Sequence, residues 1–203
     1  MNEALVIKRI DFEETSLILN VLSKEGIMPL MVKGAKRKNS NKLSISEPLT
    51  LIEYEKTKSK FPSLTEGIVK NDYRNLKNDL IKYSIASVII EYAYEIREME
   101  IDFSYLYDLV VMSLDELIEN IRPEETLFRF EAMLSKLLGI ALKKSYLIDD
   151  YMARDELLNN LDMVFSGSEV KNPSIVRSFF NEYFKRELGL SIKSKKLYFS
   201  FME

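Results

Sequence analysis

The spacing of the apolar residues changes once along the chain, near Asp72, and that change sets the fold class. Before it, apolar residues fall in runs of strand length separated by short polar turns, at residues 4–10, 16–23, 27–32, 49–55 and 64–70. The second run is apolar on both faces, with Leu17, Leu19 and Val21 on one and Ile18 and Leu22 on the other. Such a strand belongs inside a barrel or sandwich. Lys24-Glu25-Gly26 reads as a tight turn, because glycine takes positive φ without a Cβ clash. In the fourth run the apolar positions shift phase, from Leu49 and Leu51 to Ile52 and Tyr54. That shift predicts a β-bulge or a sharp bend. Five strands with no helix between them predict a small closed barrel.

After Asp72 the period becomes helical. Ile81, Ile85, Val88, Tyr92 and Ile96 recur at helical spacing. The additional apolar residues at Val88-Ile89-Ile90 predict a helix central to a bundle. Asp102 is placed to cap a second helix reaching about residue 121. Pro123, followed by Glu124 and Glu125, suits the first turn of a third helix, which Gly139 ends. Its buried stripe is expected to hold Leu127, Phe130, Leu134, Leu137, Leu138 and Ala141. Residues 149–161 have helical periodicity, and residues 163–165 read as a short strand. Asn172-Pro173 starts a last long helix that Leu188-Gly189 ends. The expected class is therefore α+β: a small closed five-stranded barrel over residues 1–74, then a helical domain over residues 75–203.

The chain of 203 residues has no cysteine and no histidine. Disulfides, Cys/His zinc sites, thiol nucleophiles and His-based triads are thereby excluded. The glycines are scattered singly, so no phosphate-cradling glycine loop exists. The acidic pairs Glu13-Glu14, Glu124-Glu125, Asp149-Asp150 and Asp155-Glu156 fall mostly at turns and helix starts, where they cap. No Asp/Glu set shows a recognisable nuclease or glycosidase arrangement, so no catalytic residue, metal or cofactor is expected, although an all-carboxylate metal site and a hydrolase built on it stay open on composition alone. No run approaches the roughly 20 apolar residues that span a bilayer, and the start lacks the basic-then-apolar form of a signal peptide. A cytoplasmic protein with no membrane partner is the expectation.

The net charge of −3 conceals a division along the chain. Residues 1–78 carry +4, residues 79–170 carry −11 and residues 171–203 carry +4. The most distinctive basic feature is the loop Lys33-Gly34-Ala35-Lys36-Arg37-Lys38, joined by Lys42. Clustered cations bind phosphate backbones through Coulomb attraction and counterion release. Gly34 and Ala35 are small enough to let a nucleic-acid strand approach the backbone. The plain alternative is a solvated loop. Phe12, Tyr54, Phe61 and Tyr73 are candidate base-stacking residues, with the core the favoured reading for each ring taken alone. Lys193-Ser194-Lys195-Lys196 forms a second basic cluster, or else a solvated tail. Arg129, Lys136 and Lys143 recur every seven residues on one helix face. That face suits an acidic peptide, although Glu125 precedes Arg129 at the spacing of a local ion pair.

Four stretches, taken in order, resemble the bacterial recombination mediator family RecO. Ala4-Leu5-Val6-Ile7-Lys8-Arg9 leading into Glu14-Thr15-Ser16-Leu17-Ile18-Leu19 is similar to the family's opening strand pair. Pro29-Leu30-Met31-Val32-Lys33-Gly34-Ala35-Lys36-Arg37, continued at Pro48-Leu49-Thr50, resembles its strand running into Lys-Gly-Ala-Arg. Arg129-Phe130-Glu131 with Leu137-Leu138-Gly139 resembles its helical signature. Ile192-Lys193-Ser194-Lys195-Lys196-Leu197 resembles its closing Leu-Lys-Ser-Arg motif.

The resemblance implies an α+β protein with a five-stranded N-terminal oligonucleotide-binding (OB-fold) barrel followed by an α-helical domain. It implies a non-enzymatic, nucleoid-associated protein that binds single- and double-stranded DNA and anneals complementary strands. It implies work with RecR, and in some bacteria RecF, to load RecA onto DNA covered by single-strand binding protein (SSB). It also implies contact with the acidic, Phe-ending SSB tail. On it, Lys33, Lys36, Arg37, Lys38 and Lys42, with Lys193, Lys195 and Lys196, become the expected DNA contacts. Arg129, Met133 and Lys136 become the expected dock for the tail. A scaffold that binds proteins through its acidic helical region, and no DNA, is the competing reading. The chain departs from the family in one respect. Many members carry a four-cysteine zinc module after the Leu-Gly of the third helix, whereas residues 143–171 here are short and cysteine-free. The zinc module is expected to be lost.

Overall fold

A computed structural model describes residues 1–38, 40, 42–140, 142 and 153–202. Five strands come first: β1 (Asn2–Phe12), β2 (Ser16–Ser23), β3 (Gly26–Val32), β4 (Thr50–Lys56) and β5 (Leu64–Asn71). They form an antiparallel sheet in the order β3-β2-β1-β4-β5. The sheet curls until its outer strands meet. Met31 of β3 bridges Ser63 in parallel, and its N–H donates to the Pro62 carbonyl at 2.9 Å. This closure gives the small barrel that the strand pattern predicts, of the OB type that the resemblance implies.

β1 serves two partners, pairing with β2 along most of its length and with β4 through residues 2–6. Its register slips between Val6 and Lys8, a bulge that lets one strand bend around the barrel. The phase shift near Leu49 also has a local cause. Leu49 takes φ +56° just before β4 and faces the helices, while Ile52 and Tyr54 face the barrel interior.

The double-sided strands follow from two cores. Ala4, Val6, Leu17, Leu19, Val21 and Leu30 are among the residues that fill the barrel. Leu5, Ile7, Leu22 and Leu49 point outward and join the helical core. Tyr54 and Tyr73, two of the candidate stacking residues, are each 1% exposed and belong to these cores. Their rings pack against apolar neighbours and are not available to bases.

The helices are α1 (Arg74–Lys77), α2 (Leu80–Glu95), α3 (Phe103–Glu119), α4 (Pro123–Leu137), α5 (Arg154–Ser166), α6 (Pro173–Leu188) and α7 (Lys195–Phe199). The expected start signals are in place: Asp102 accepts from the Tyr105 N–H, Pro123 opens α4, and Asn172 accepts from the Ile175 N–H. Asp79, a cap the sequence reading did not name, accepts from the N–H groups of Ile81 and Lys82 at the start of α2. α2 is buried on several faces and touches β1, α3, α4 and α7. Residues 163–165, read as a strand, lie within α5. Val164 continues the buried i, i+4, i+7 stripe of Leu157 and Leu161, and Gly167 ends the helix at φ +71°. Of residues 143–171, the stretch read as shortened, 143–152 lie outside the described residues. So does Lys143, and Asp149-Asp150 with it.

Glu3 ties the barrel to the helices. Its carboxylate accepts from Lys70 Nζ and from the Tyr107 hydroxyl, both at 2.6 Å. Those bonds, Lys70 first, hold its carboxyl below the ordinary value of 4.5. A depressed carboxyl stabilises the folded chain above its ordinary value, and that stabilisation is lost as pH falls through the depressed one. Glu3→Gln is therefore expected to lower Tm at neutral pH by about 1–2 °C, since the group is largely solvated. The gap should close in acid, which a pH series of thermal melts reads directly.

Candidate nucleic-acid interface

The basic loop leaves β3 and is folded onto the β1–β2 turn. The Lys36 N–H donates to the Thr15 carbonyl at 2.9 Å. Lys36 Nζ reaches the Glu13 carbonyl at 3.3 Å and the Asp11 carboxylate at 3.6 Å. Gly34 turns the chain at φ +67°, and the Arg37 N–H closes the turn onto its carbonyl at 3.2 Å. The two small residues do not serve as an open approach for a ligand. Ala35 is 1% exposed and plugs the barrel core, and the Arg37 side chain lies 3.3 Å from where a Gly34 Cβ would stand. Their smallness fastens the loop instead.

This folding sorts the cations. Lys33, Arg37 and Lys38 are exposed, and among the described residues no carboxylate pairs with them. Lys36 is also exposed but spends part of its charge on Asp11. Lys42 is half-buried, and its carbonyl accepts from Ser46 Oγ at 2.7 Å. Phe12 is half-buried, whereas Phe61 on the β4–β5 hairpin is 65% exposed.

The C-terminal cluster divides differently. Lys193 and Lys196 are exposed. Lys195 is 6% exposed and turned into the helical core. Its Nζ pairs with the fully buried Glu131 at 2.7 Å, donates to the Phe180 carbonyl at 3.2 Å and lies 5.3 Å from the Tyr92 ring centroid. The Tyr92 hydroxyl donates to the same carboxylate at 2.9 Å, and burial followed by Glu131 raises that phenol far above its ordinary range. Lys195 is thus a structural cation and no surface contact, a correction to its expected role. A buried lysine is tolerated only with a partner, and Glu131 supplies one from α4.

The Glu91 carboxylate completes the clamp. It accepts from the backbone N–H groups of Lys193 and Ser194, at 2.9 and 2.8 Å, and from the Ser194 hydroxyl. One turn along α2, the Tyr94 ring carries Lys8 of β1 at 3.8 Å and Arg97 at 4.1 Å. Contacts through β1 and α2 therefore link the loop to the exposed lysines of the tail. Lys8, Lys58 and Lys60 lie outside the two basic clusters, so charge spacing alone does not single them out.

The second expected site lies between α3 and α4. A groove of about 470 Å³ is lined by Tyr105, Leu109, Met112, Phe130 and Met133, with Asp108, Glu116 and Arg129 at its edge. Met112 is 70% exposed. Arg129 pairs with Glu116 and, at 3.7 Å, with Glu125. Lys136 is exposed but does not line the groove.

A zinc module finds no donors here. The chain has no cysteine or histidine, and among the described residues no cluster of three acidic side chains could hold a metal. No helix among the described residues is long and apolar enough to cross a membrane.

A closed five-stranded barrel with a cationic loop, packed on a helical bundle, is an OB-fold protein of the α+β class. Two family models carry the assignment further: recombination protein O N terminal matches residues 1–73, and recombination protein O C terminal matches residues 77–146. The chain belongs to the RecO family. It is 27% identical over 141 residues to the DNA repair protein RecO of Halalkalibacterium halodurans, covering 68% of this chain and 55% of that one. It is 28% identical to the RecO proteins of Shouchella clausii and Exiguobacterium sibiricum. Those matches cover 57% and 68% of this chain, and 46% and 57% of the respective relatives. The chain thus spans about half the length of the curated relatives it matches.

Proposed function

We propose that the protein is a DNA repair mediator that binds single and double strands and anneals complementary ones. In this reading the barrel, residues 1–74, holds DNA, and the helical part, residues 75–203, holds protein partners. The observation that carries it is the loop at the barrel rim, where Lys33, Arg37 and Lys38 stand exposed without an acidic partner among the described residues, in a chain of the RecO family. Lys36 and Lys42 support the same loop, and Lys193 and Lys196 extend the basic surface. Two strands repel through their phosphates, and a cationic surface that neutralises both lowers the barrier to pairing. No step makes or breaks a covalent bond.

The partners of this reading are RecR, RecF in some bacteria, RecA and SSB. The groove beside Arg129 and Met133 would receive the acidic, Phe-ending tail, the ring entering among Met112, Phe130 and Met133. Arg129 would then exchange Glu116 for a carboxylate of the tail. Arg129→Ala is expected to weaken a labelled acidic Phe-ending peptide about tenfold, the scale of a charge-assisted hydrogen bond. Glu116→Gln is expected to tighten it about 2- to 5-fold, the scale of a surface ion pair. Fluorescence anisotropy reads both.

The whole reading is tested by strand annealing on bare DNA and on DNA covered with intact or tail-deleted SSB. Annealing that weakens steeply with salt, and that requires the tail only on covered DNA, supports it. A protein that binds neither single nor double strands overturns it.

A further inference from the structure

The hairpin between β4 and β5 carries Lys58, Ser59, Lys60 and Phe61, and neither core absorbs it. Phe61 is 65% exposed, the most exposed aromatic ring among the described residues. A ring in that position gains nothing from burial. Its loop is nonetheless well defined. Ser63 N–H donates to Thr57 Oγ1 at 2.9 Å, and the Thr57 N–H donates to the Ser63 carbonyl at 3.0 Å. Thr57 and Ser59 hydroxyls meet at 3.2 Å, and Ser59 donates to the Phe61 carbonyl at 2.6 Å. The ring is held outward by a small internal network, so ordering it would cost a ligand little.

Beside it lies a cleft of about 500 Å³, lined by Lys56, Lys58 and Lys60 together with Asn2, Ser59 and Pro62, among others. No carboxylate lines it. Lys58 and Lys60 are exposed, whereas Lys56 turns inward, its Nζ 3.0 Å from Met28 Sδ. Placement adds a further point. The Met31–Ser63 bridge closes the barrel two residues before Lys33 and two residues after Phe61. The hairpin and the cationic loop therefore adjoin one seam.

We propose that this hairpin is a site for single-stranded DNA, with a base stacked on Phe61 and flanking phosphates held by Lys58 and Lys60. The inference rests on the proposed function and extends it. Stacking needs an open π-face, which a paired duplex does not offer, so Phe61 discriminates single from double strands. The lysines supply the charge that holds the backbone in register.

The chain has no tryptophan, so Phe61→Trp places one reporter at the site. Its emission is expected to be quenched when the full chain is titrated with a short oligothymidylate. Phe61→Ala should weaken that oligonucleotide about tenfold with an unchanged salt slope, and affect a duplex far less. Lys58→Ala with Lys60→Ala should reduce the slope of log K against log salt by about 1.4, or roughly 0.7 per phosphate. Unchanged emission at saturating oligonucleotide, with the Phe61→Ala protein binding as the parent does, overturns the inference. A parallel titration of the Lys33, Lys36 and Arg37 alanine variant separates the two levels. If that variant loses binding while the hairpin variants keep theirs, the hairpin site falls and the proposed function stands. If the parent binds no DNA, both fall.

Discussion

Lys195→Ala is expected to destabilise the folded chain by about 3–5 kcal/mol, because it leaves the Glu131 carboxylate buried with, among the described residues, the Tyr92 hydroxyl as its remaining partner. Denaturant unfolding reads the loss as a fall in midpoint at constant slope. Glu131→Ala should cost a similar amount by stranding the ammonium. The double replacement Lys195→Met with Glu131→Leu should recover most of it, since neither charge then remains to be desolvated. Recovery in the double variant separates a buried pair from a cavity effect, which two truncations would only deepen. Two equal and additive losses would show that the side chains do not interact. The consequence for function is specific: DNA binding should change little in the rescued double variant, because Lys195 does not face solvent.

Replacing Lys33, Lys36 and Arg37 together by alanine is expected to lower single-strand affinity by about 100-fold at 0.1 M salt. The slope of log K against log salt should fall by about 2. The loss should be uniform across sequences, because phosphate contacts carry no base information. Lys33 and Arg37 should contribute more than Lys36, which is partly committed to Asp11 and the Glu13 carbonyl. Far-UV circular dichroism should be unchanged, since the three side chains are exposed. An unaltered affinity and slope would remove the loop from the interface.

Much of the fold was legible because it rests on local chemistry. Strand limits followed from alternating apolar residues and from turns such as Lys24-Glu25-Gly26. Helix starts followed from the caps Asp102 and Asn172 and from the first-turn proline Pro123, all of which act within a few residues. Long-range geometry was not legible in this way. Lys195 reads as one cation in a basic run, and only the arrival of Glu131 from a distant helix makes it a core residue. Tyr54 and Tyr73 carry the composition of a stacking platform, and only closure of the barrel and packing of the helices decide that they are covered. Residues 163–165 look like a strand in isolation, but too few neighbours share their alternation to outweigh the stripe begun at Leu157. At the candidate site the loop itself was legible, and the division of its cations was not, because Asp11 and Thr15 reach it from another turn. The hairpin lysines were not legible as part of a site for a similar reason: they alternate with Thr57 and Ser59 far from the loop in sequence, and only the Met31–Ser63 closure brings the two together.

β1 lends its alternate residues to two cores, and this bears on how the protein can be divided. A cut near residue 74 is simple to draw along the chain. Made in practice, it would leave the amino-terminal piece displaying Leu5, Ile7, Leu22 and Leu49 as a contiguous apolar surface. Such a fragment would self-associate or bind unrelated proteins. Apparent affinities measured on it would mix stickiness with recognition, so the intact chain is the proper material for every titration described above.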